Sequence, residues 1–240
     1  MEKILDFGGK RIRPDIRRLY DMKEVIYDKE FLENAENIEL YYMYRGVFLD
    51  ETDKKTMEEN NLRYDITIIP PMKIGKEFVK TAGHYHPFIP GTNVTYPEVY
   101  EVLEGEAHYL LQKKENDKIT DVVLVSAGKN EKVIIPPGYG HVTINPSKNV
   151  LKMANWVASN FSSVYEPIKK MHGAGYFETT TGFIKNENYE YLPELRFLKQ
   201  KEYKNVGLTK DKDMYYIIRD NPELLGFLTK PQEYETLFTI

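Results

Sequence analysis

Three histidines and one glutamate set the chemistry open to this chain. His84 and His86 stand two residues apart in TAGHYHP, Glu98 follows in PEVYEVLEG, and His141 comes later in PPGYGHVTIN. Neutral imidazole is the commonest side-chain metal ligand. Three imidazoles with a carboxylate form a mixed nitrogen and oxygen set suited to Fe, Mn, Ni or Zn, with positions left for water or substrate. Cysteine is absent, which excludes thiolate nucleophiles, disulfides and Cys-held zinc or iron–sulfur clusters. A His-x-His pair alone is a weak signal, because paired exposed or capping histidines are common. Here it is joined by a Glu-x6-Gly run from Glu98 to Gly105 and by a Pro-x-Gly-x-x-His-x-x-x-Asn run from Pro136 to Asn145.

Elements of the right period must position these groups. On a strand, residues two apart face the same way, so His84 and His86 share a face, as do Glu98, Tyr100 and Val102, while Val99, Glu101 and Leu103 take the other. From about 38 to 157 the chain reads as short β-rich runs: IELYYMYRGVFL, YDITIIP, EVYEVLEG, AHYLLQ, TDVVLVS, KVIIP, HVTI and VLKMANWV. Turn residues separate most of them and no helix intervenes, the pattern of a β-sandwich or small barrel. KKENDK (113–118) reads as a solvated hairpin loop. Before the strands, Ile16, Leu19, Met22, Val25 and Ile26 recur at helical spacing behind Pro14, which predicts a helical arm over 1–37. After the barrel region (38–198), residues 199–240 contain NPELLGFL, where Asn221 is placed to cap a helix starting at Pro222, so a short helical extension is expected.

Composition narrows the partners. The 240 residues carry a formal charge of −4, which gives no global field for nucleic acid or anionic lipid. No apolar run is long enough for a secretory signal or a bilayer span, so the reading is a soluble, cytoplasmic protein.

The histidine, glutamate and proline-glycine runs resemble the two motifs of the cupin superfamily, with eleven residues between His86 and Glu98 where the general motif has three or four. Longer stretches narrow the likeness. IRRLYDM (16–22), DITIIPPMKIGKEFVKTAGHYHP (65–87), PEVYEVLEGEAHYLLQ (97–112), IPPGYGHVTIN (135–145) and SSVYEPIKKMHGAGYF (162–177) resemble the archaeal-type, cupin-fold phosphoglucose isomerases. The resemblance covers about 16 to 198 and leaves 199–240 without a counterpart. It implies a mainly β fold, a double-stranded β-helix or jelly-roll barrel. It implies a divalent metal, commonly iron, on His84, His86, Glu98 and His141, and conversion of glucose 6-phosphate to fructose 6-phosphate.

A metal suits that exchange because it polarises the carbonyl and stabilises charge on an enediolate. The resemblance makes Glu98 the carboxylate that moves the proton between C1 and C2, although a metal-assisted hydride shift would need no base. Tyr100, on the Glu98 face, is a candidate substrate contact. By resemblance the phosphate would meet hydroxyls and backbone N–H groups: Thr67 and Tyr165 match a family Thr and Tyr, Thr81 and Gly83 flank the metal motif, and Trp156 stands where the family has another Tyr. The family also implies a homodimer, with 199–240 either extending its interface or covering the pocket mouth. Two other functions stay open at this point: a non-catalytic or regulatory sugar-phosphate-binding cupin, and a metal-dependent dioxygenase.

Remaining residues carry plainer expectations. His108 is either near the metal or, by preference, a satisfied core or surface histidine. His172 closes a helix, and Lys76 is an exposed lysine that could steer an anion.

Overall fold

The computed structural model describes residues 3–240; Met1 and Glu2, part of the expected arm, lie outside the described residues. In chain order the first strands are β1 (Leu5–Phe7), β2 (Lys10–Ile12), β3 (Asp15–Arg18), β4 (Glu39–Tyr44), β5 (Leu62–Ile69), β6 (Lys73–Ile74) and β7 (Glu77–Phe78). They are followed by β8 (Glu98–Glu104), β9 (Glu106–Glu115), β10 (Lys118–Gly128), β11 (Lys132–Ile135), β12 (Tyr139–Ile144) and β13 (Leu151–Ala158). The last are β14 (Tyr176–Thr179), β15 (Gly182–Lys185) and β16 (Arg196–Lys199). The helices are α1 (Lys29–Asn34), α2 (Glu51–Glu59), α3 (Glu166–Lys170) and α4 (Ile217–Asp220).

A six-stranded sheet, β11-β8-β13-β5-β4-β3, faces a four-stranded sheet, β12-β9-β10-β16. Alternation along each strand divides the side chains between layers. In β8, Tyr100 and Val102 enter the core between the sheets, with Tyr109, Leu111 and Val123 from the facing sheet. Val99 on the opposite face joins a second cluster. This is a mainly β jelly-roll, as the sequence predicted. Gly105 makes the β8–β9 turn possible: its φ is +81°, and a Cβ there would lie 2.4 Å from the carbonyl oxygen of Val150. That accounts for the glycine of the Glu-x6-Gly run.

The arm differs from its expectation in how it begins. Residues 5–12 form a hairpin and Asp15–Arg18 adds an edge strand to the large sheet. Helical turns follow, a 3-10 helix over Leu19–Val25 and then α1. Leu19, Met22 and Val25 are all buried at a spacing of three, which is the period of a 3-10 turn rather than of an α-helix.

A helix also interrupts the strand region. The β4 run ends at Tyr44, and α2 starts after Asp50, whose carboxylate accepts from the amides of Thr52 and Asp53 at 2.9 and 3.0 Å. Within α2 only Asp53 and Met57 are buried, so ETDKKTMEE shows no apolar stripe from which to read it. KKENDK is mostly strand, with the turn confined to Asn116 and Asp117 at φ of +47° and +65°.

Residues 204–238 form five 3-10 turns and α4. The turn at Pro222 starts where expected, but the Asn221 side chain makes no cap hydrogen bond. No helix among the described residues is long and apolar enough to cross a membrane.

Candidate metal centre

The turn at Pro136 and Gly138 leads into β12 and delivers His141 opposite His84. The two residues bridge their backbones, His84 N–H donating to His141 O at 3.2 Å and His141 N–H to His84 O at 3.0 Å. Gly83 precedes this bridge at φ +77°, where a Cβ would strike Val142 Cγ2 at 2.6 Å. Tyr85 points away from the histidines, accepting from the Gln112 amide at 2.7 Å, so the predicted alternation places His84 and His86 together. Glu98 opens β8, on the face of Tyr100.

One ligand atom from each of His84, His86, Glu98 and His141 lies within 4.8 Å of the other three. His84 Nε2 is 3.2 Å from His86 Nε2, and Glu98 Oε2 is 3.3 Å from His141 Nε2 and 3.5 Å from His86 Nε2. Atoms sharing one cation at about 2.0–2.2 Å are separated by such distances. The environment fits a cation in two further ways. Glu98 Oε2 is buried with no hydrogen-bond partner. Glu98 Oε1 is satisfied separately, accepting from Asn155 Nδ2 at 2.7 Å. His86 Nδ1 lies 2.9 Å from the carbonyl of Tyr96, which fixes its proton there and frees Nε2 for a metal.

Protonation states follow from burial. Desolvation pushes His86 down to about 4, and Glu98 only partly offsets this. Burial also holds His84 well below the ordinary imidazole range, helped by the nearby His141 and His86. For Glu98, burial acts to raise the carboxyl, but the neighbouring His141 and His86 imidazoles win and keep it below its usual value. The site therefore presents His84 and His86 as neutral imidazoles and Glu98 as a carboxylate near neutral pH.

Stability inherits this shift. The ordinary imidazole value is 6.5, and the folded His86 titrates near 4, so between those values the unfolded chain binds more protons than the folded one. Stability of the chelator-treated protein is expected to drop as the pH is lowered through that window, by about 1.4 kcal/mol per pH unit from His86 alone. Thermal unfolding as a function of pH checks it. A flat profile would mean that the histidines titrate as solvated groups.

A cavity of about 280 Å³ opens on His84, His86 and Glu98. Every candidate substrate residue, Thr67, Thr81, Gly83, Tyr100 and Tyr165, lines it. Tyr100 also places its hydroxyl 3.1 Å from His141 Nε2. Sequence reading missed Arg45, Arg63, Asp65, Asn155 and Phe161, which line it too. Arg63 donates from Nε to both Asp65 oxygens at 2.9 and 3.0 Å, and Phe161 packs on the His86 ring at 4.7 Å. The alternation of β5 and β13 carried a signal for Arg63, Asp65 and Asn155, since the first two share a face with Thr67 and Asn155 pairs with Asp65 across the sheet; for Phe161 there was none.

Three residues fall elsewhere. Trp156 does not reach the cavity: β13 turns Asn155 and Val157 inward, and Trp156 is fully buried on the outer face, donating from Nε1 to Met214 O at 3.0 Å. Its missing phenol hydroxyl therefore leaves the pocket unchanged. His108 is satisfied by Glu178, 2.9 Å from both carboxylate oxygens, and takes no part in the centre. Lys76 is exposed and outside the cavity. His172 follows α3 with φ +54°, its amide bonded to Lys169 O at 2.9 Å. No residue of 199–240 lines the cavity, so that segment does not cover its mouth.

The family model for glucose-6-phosphate isomerase (GPI) matches residues 16–194. The chain belongs to this family. Its relatives include glucose-6-phosphate isomerases of Pyrococcus abyssi, 32% identical over 138 residues, and Pyrococcus furiosus, 30% identical over 142. The enzyme of the same name from Thermococcus litoralis is 29% identical over 133 residues. The first two matches cover 58% of this chain and 65% of the relative's length, and the third covers 55% and 63%. Among solved structures, an oxalate oxidase bound to glycolate overlays with a TM-score of 0.40 at 16% identity, covering 53% of this chain and 56% of that one. An oxalate decarboxylase from Bacillus subtilis gives a TM-score of 0.36 at 15% identity, covering 52% and 27%.

Proposed function

We propose that this chain is a metal-dependent aldose–ketose isomerase that interconverts glucose 6-phosphate and fructose 6-phosphate through an enediolate, with residues 38–198 carrying the site. Family membership supports the reaction class. The observation that carries the reading is Glu98: one oxygen is held by Asn155 and the other stands unbonded among three imidazoles at the cavity wall.

A divalent cation on His84, His86, Glu98 and His141, with iron favoured and Mn, Ni or Zn able to replace it, would polarise the substrate carbonyl and stabilise developing negative charge. Glu98 takes the proton from C2 of the aldose and returns it to C1, while the hydroxyl proton passes from O2 to O1. Asn155 holds the carboxylate orientation during both transfers. Tyr100, on the Glu98 face of β8 and in the cavity wall, contacts the substrate, and Phe161 shields His86 from water. Thr67, Thr81, Gly83 and Tyr165 supply hydroxyl and backbone donors to the sugar phosphate.

The test is a coupled assay of fructose 6-phosphate conversion, using protein stripped with chelator and reloaded with Fe²⁺, Mn²⁺, Ni²⁺ or Zn²⁺. Metal-restored turnover is expected. Tight binding of metal and sugar phosphate without turnover under any metal would overturn the isomerase and leave a sugar-phosphate-binding protein. Consumption of O₂ with substrate would replace it with a dioxygenase.

A further inference from the structure

The arm motif IRRLYDM places two arginines side by side, and the structure gives them different fates. Arg18 is neutralised by Glu39, 2.8 Å away. Arg17 faces the other way, paired across β3 and β4 with Tyr41, a cavity-lining residue. Its guanidinium carbon lies 5.8 Å from the centre of the Tyr165 ring. That ring is in turn 5.3 Å from the His84 ring, so Tyr165 spans the interval between Arg17 and the metal ligands.

Among the described residues no carboxylate pairs with Arg17, although it is half-buried. Arg17 stands behind the lining, and the two arginines that line the cavity are engaged: Arg63 with Asp65, and Arg45 with Asp15 at 3.4 Å. The cavity wall offers the hydroxyls of Tyr41, Thr81, Ser162, Ser163 and Tyr165, and its two carboxylates are already engaged, Asp65 by Arg63 and Glu98 by Asn155. Arg17 also acts on Tyr41 by charge and hydrogen bonding, partly opposing the rise that burial imposes on that phenol. A half-buried guanidinium without a carboxylate partner, next to two tyrosines that line the cavity, is placed to draw an anion to that end of it. Its planar fork matches phosphate in two hydrogen bonds where a lysine would offer a point charge.

We propose that Arg17 is the residue that recognises the phosphate dianion of the substrate, a specificity-determining contact supplied to the barrel by the N-terminal arm. This rests on reading the cavity as a sugar-phosphate site. It assigns the arm a part in binding, beyond completing the edge of the large sheet.

The test uses the metal-loaded full chain, its R17M and R17K variants, steady-state kinetics on fructose 6-phosphate and calorimetric titration with inorganic phosphate. Loss of a charged hydrogen-bond partner is expected to raise KM and the phosphate Kd together by about 10- to 100-fold in R17M, with kcat nearly unchanged. R17K, which keeps the charge but loses the fork, is expected to fall between, and it carries the test alone if R17M does not fold. A purely structural role would instead lower kcat and thermal stability and leave phosphate affinity intact, and that result overturns the assignment. So does a phosphate Kd within twofold of the unaltered chain in each variant that folds. Should the unaltered chain bind phosphate but turn over no substrate, loss of that binding in R17M sustains Arg17 while the isomerase reading fails. Turnover in the unaltered chain with undiminished phosphate binding in the variants sustains the isomerase and overturns Arg17.

Discussion

Glu98→Gln is expected to lose both turnover and metal, and the reason lies in Asn155. Asn155 Nδ2 donates to Glu98 Oε1, so a glutamine at 98 must present its amide oxygen there and its NH₂ group at the position of Oε2. That turns two N–H donors toward the three imidazoles, where a cation needs an acceptor. Metal content measured on the same sample as the assay should drop, and kcat should fall by about 10²- to 10⁴-fold, the usual contribution of a positioned general base. The double variant Glu98→Gln with Asn155→Asp separates the two roles. An aspartate at 155 accepts from the glutamine NH₂ and lets its oxygen face the cluster, so metal should return while turnover does not. Turnover that returns with the metal would remove the base from the mechanism and assign the transfer to a hydride shift. Full metal content in Glu98→Gln alone would show that the carboxylate is not a ligand.

Lys132→Met is expected to be the most destabilising single change outside the cavity. The ammonium is fully buried, 2.9 Å from Glu101 Oε1 and donating to the carbonyls of Asn130 and Thr209 at 2.8 and 2.7 Å and to that of Lys212. Glu101 Oε2 accepts from the Met214 amide at 2.8 Å. Two buried charges thus fasten residues 209–214 to the outer face of the large sheet. Burial already pushes the Glu101 carboxyl up, although Met214 and Lys132 oppose it. Removing the lysine leaves the buried charge on Glu101 unpaired, with Oε1 and three carbonyls deprived of the ammonium, at about 3–5 kcal/mol. Denaturant unfolding checks the magnitude, which corresponds to roughly 6–20 °C in Tm for a chain of this size. Limited proteolysis should then cut within 199–240 first. A loss below about 1 kcal/mol would mean that the segment is held by its apolar contacts alone, Trp156 with Tyr215 and the buried Leu225, Phe227 and Leu228.

The strands of the barrel and the four residues of the centre were legible in the chain before any contact was known. Period-two alternation is local, so the facing of His84 with His86, and of Glu98 with Tyr100, follows from which residues are neighbours in the chain. Gly83 and Gly105 were legible for the same reason, since a positive φ is a property of one residue and its turn. What alternation does not say is what covers a face. Alternation put Glu101 on the face opposite Glu98 and no more, yet that face is covered, and Glu101 is buried under Met214, which lies 113 residues further along the chain. Trp156 read as a pocket residue by resemblance, yet one step along β13 moves a side chain to the opposite face, and there it supports the C-terminal segment. The α2 helix was hidden because capping by Asp50 and long-range packing hold it, including Arg219 on Asp53 at 2.7 Å, and not an apolar stripe. Arg17 is the same case, behind the Tyr165 wall of the cavity. Its neighbour Arg18 has the same side chain, and only the edge pairing of β3 with β4 decided which of the two faces Tyr165 and which meets a carboxylate. Local conformational preference is written residue by residue, whereas burial and charge pairing depend on contacts that exist only once distant segments have met.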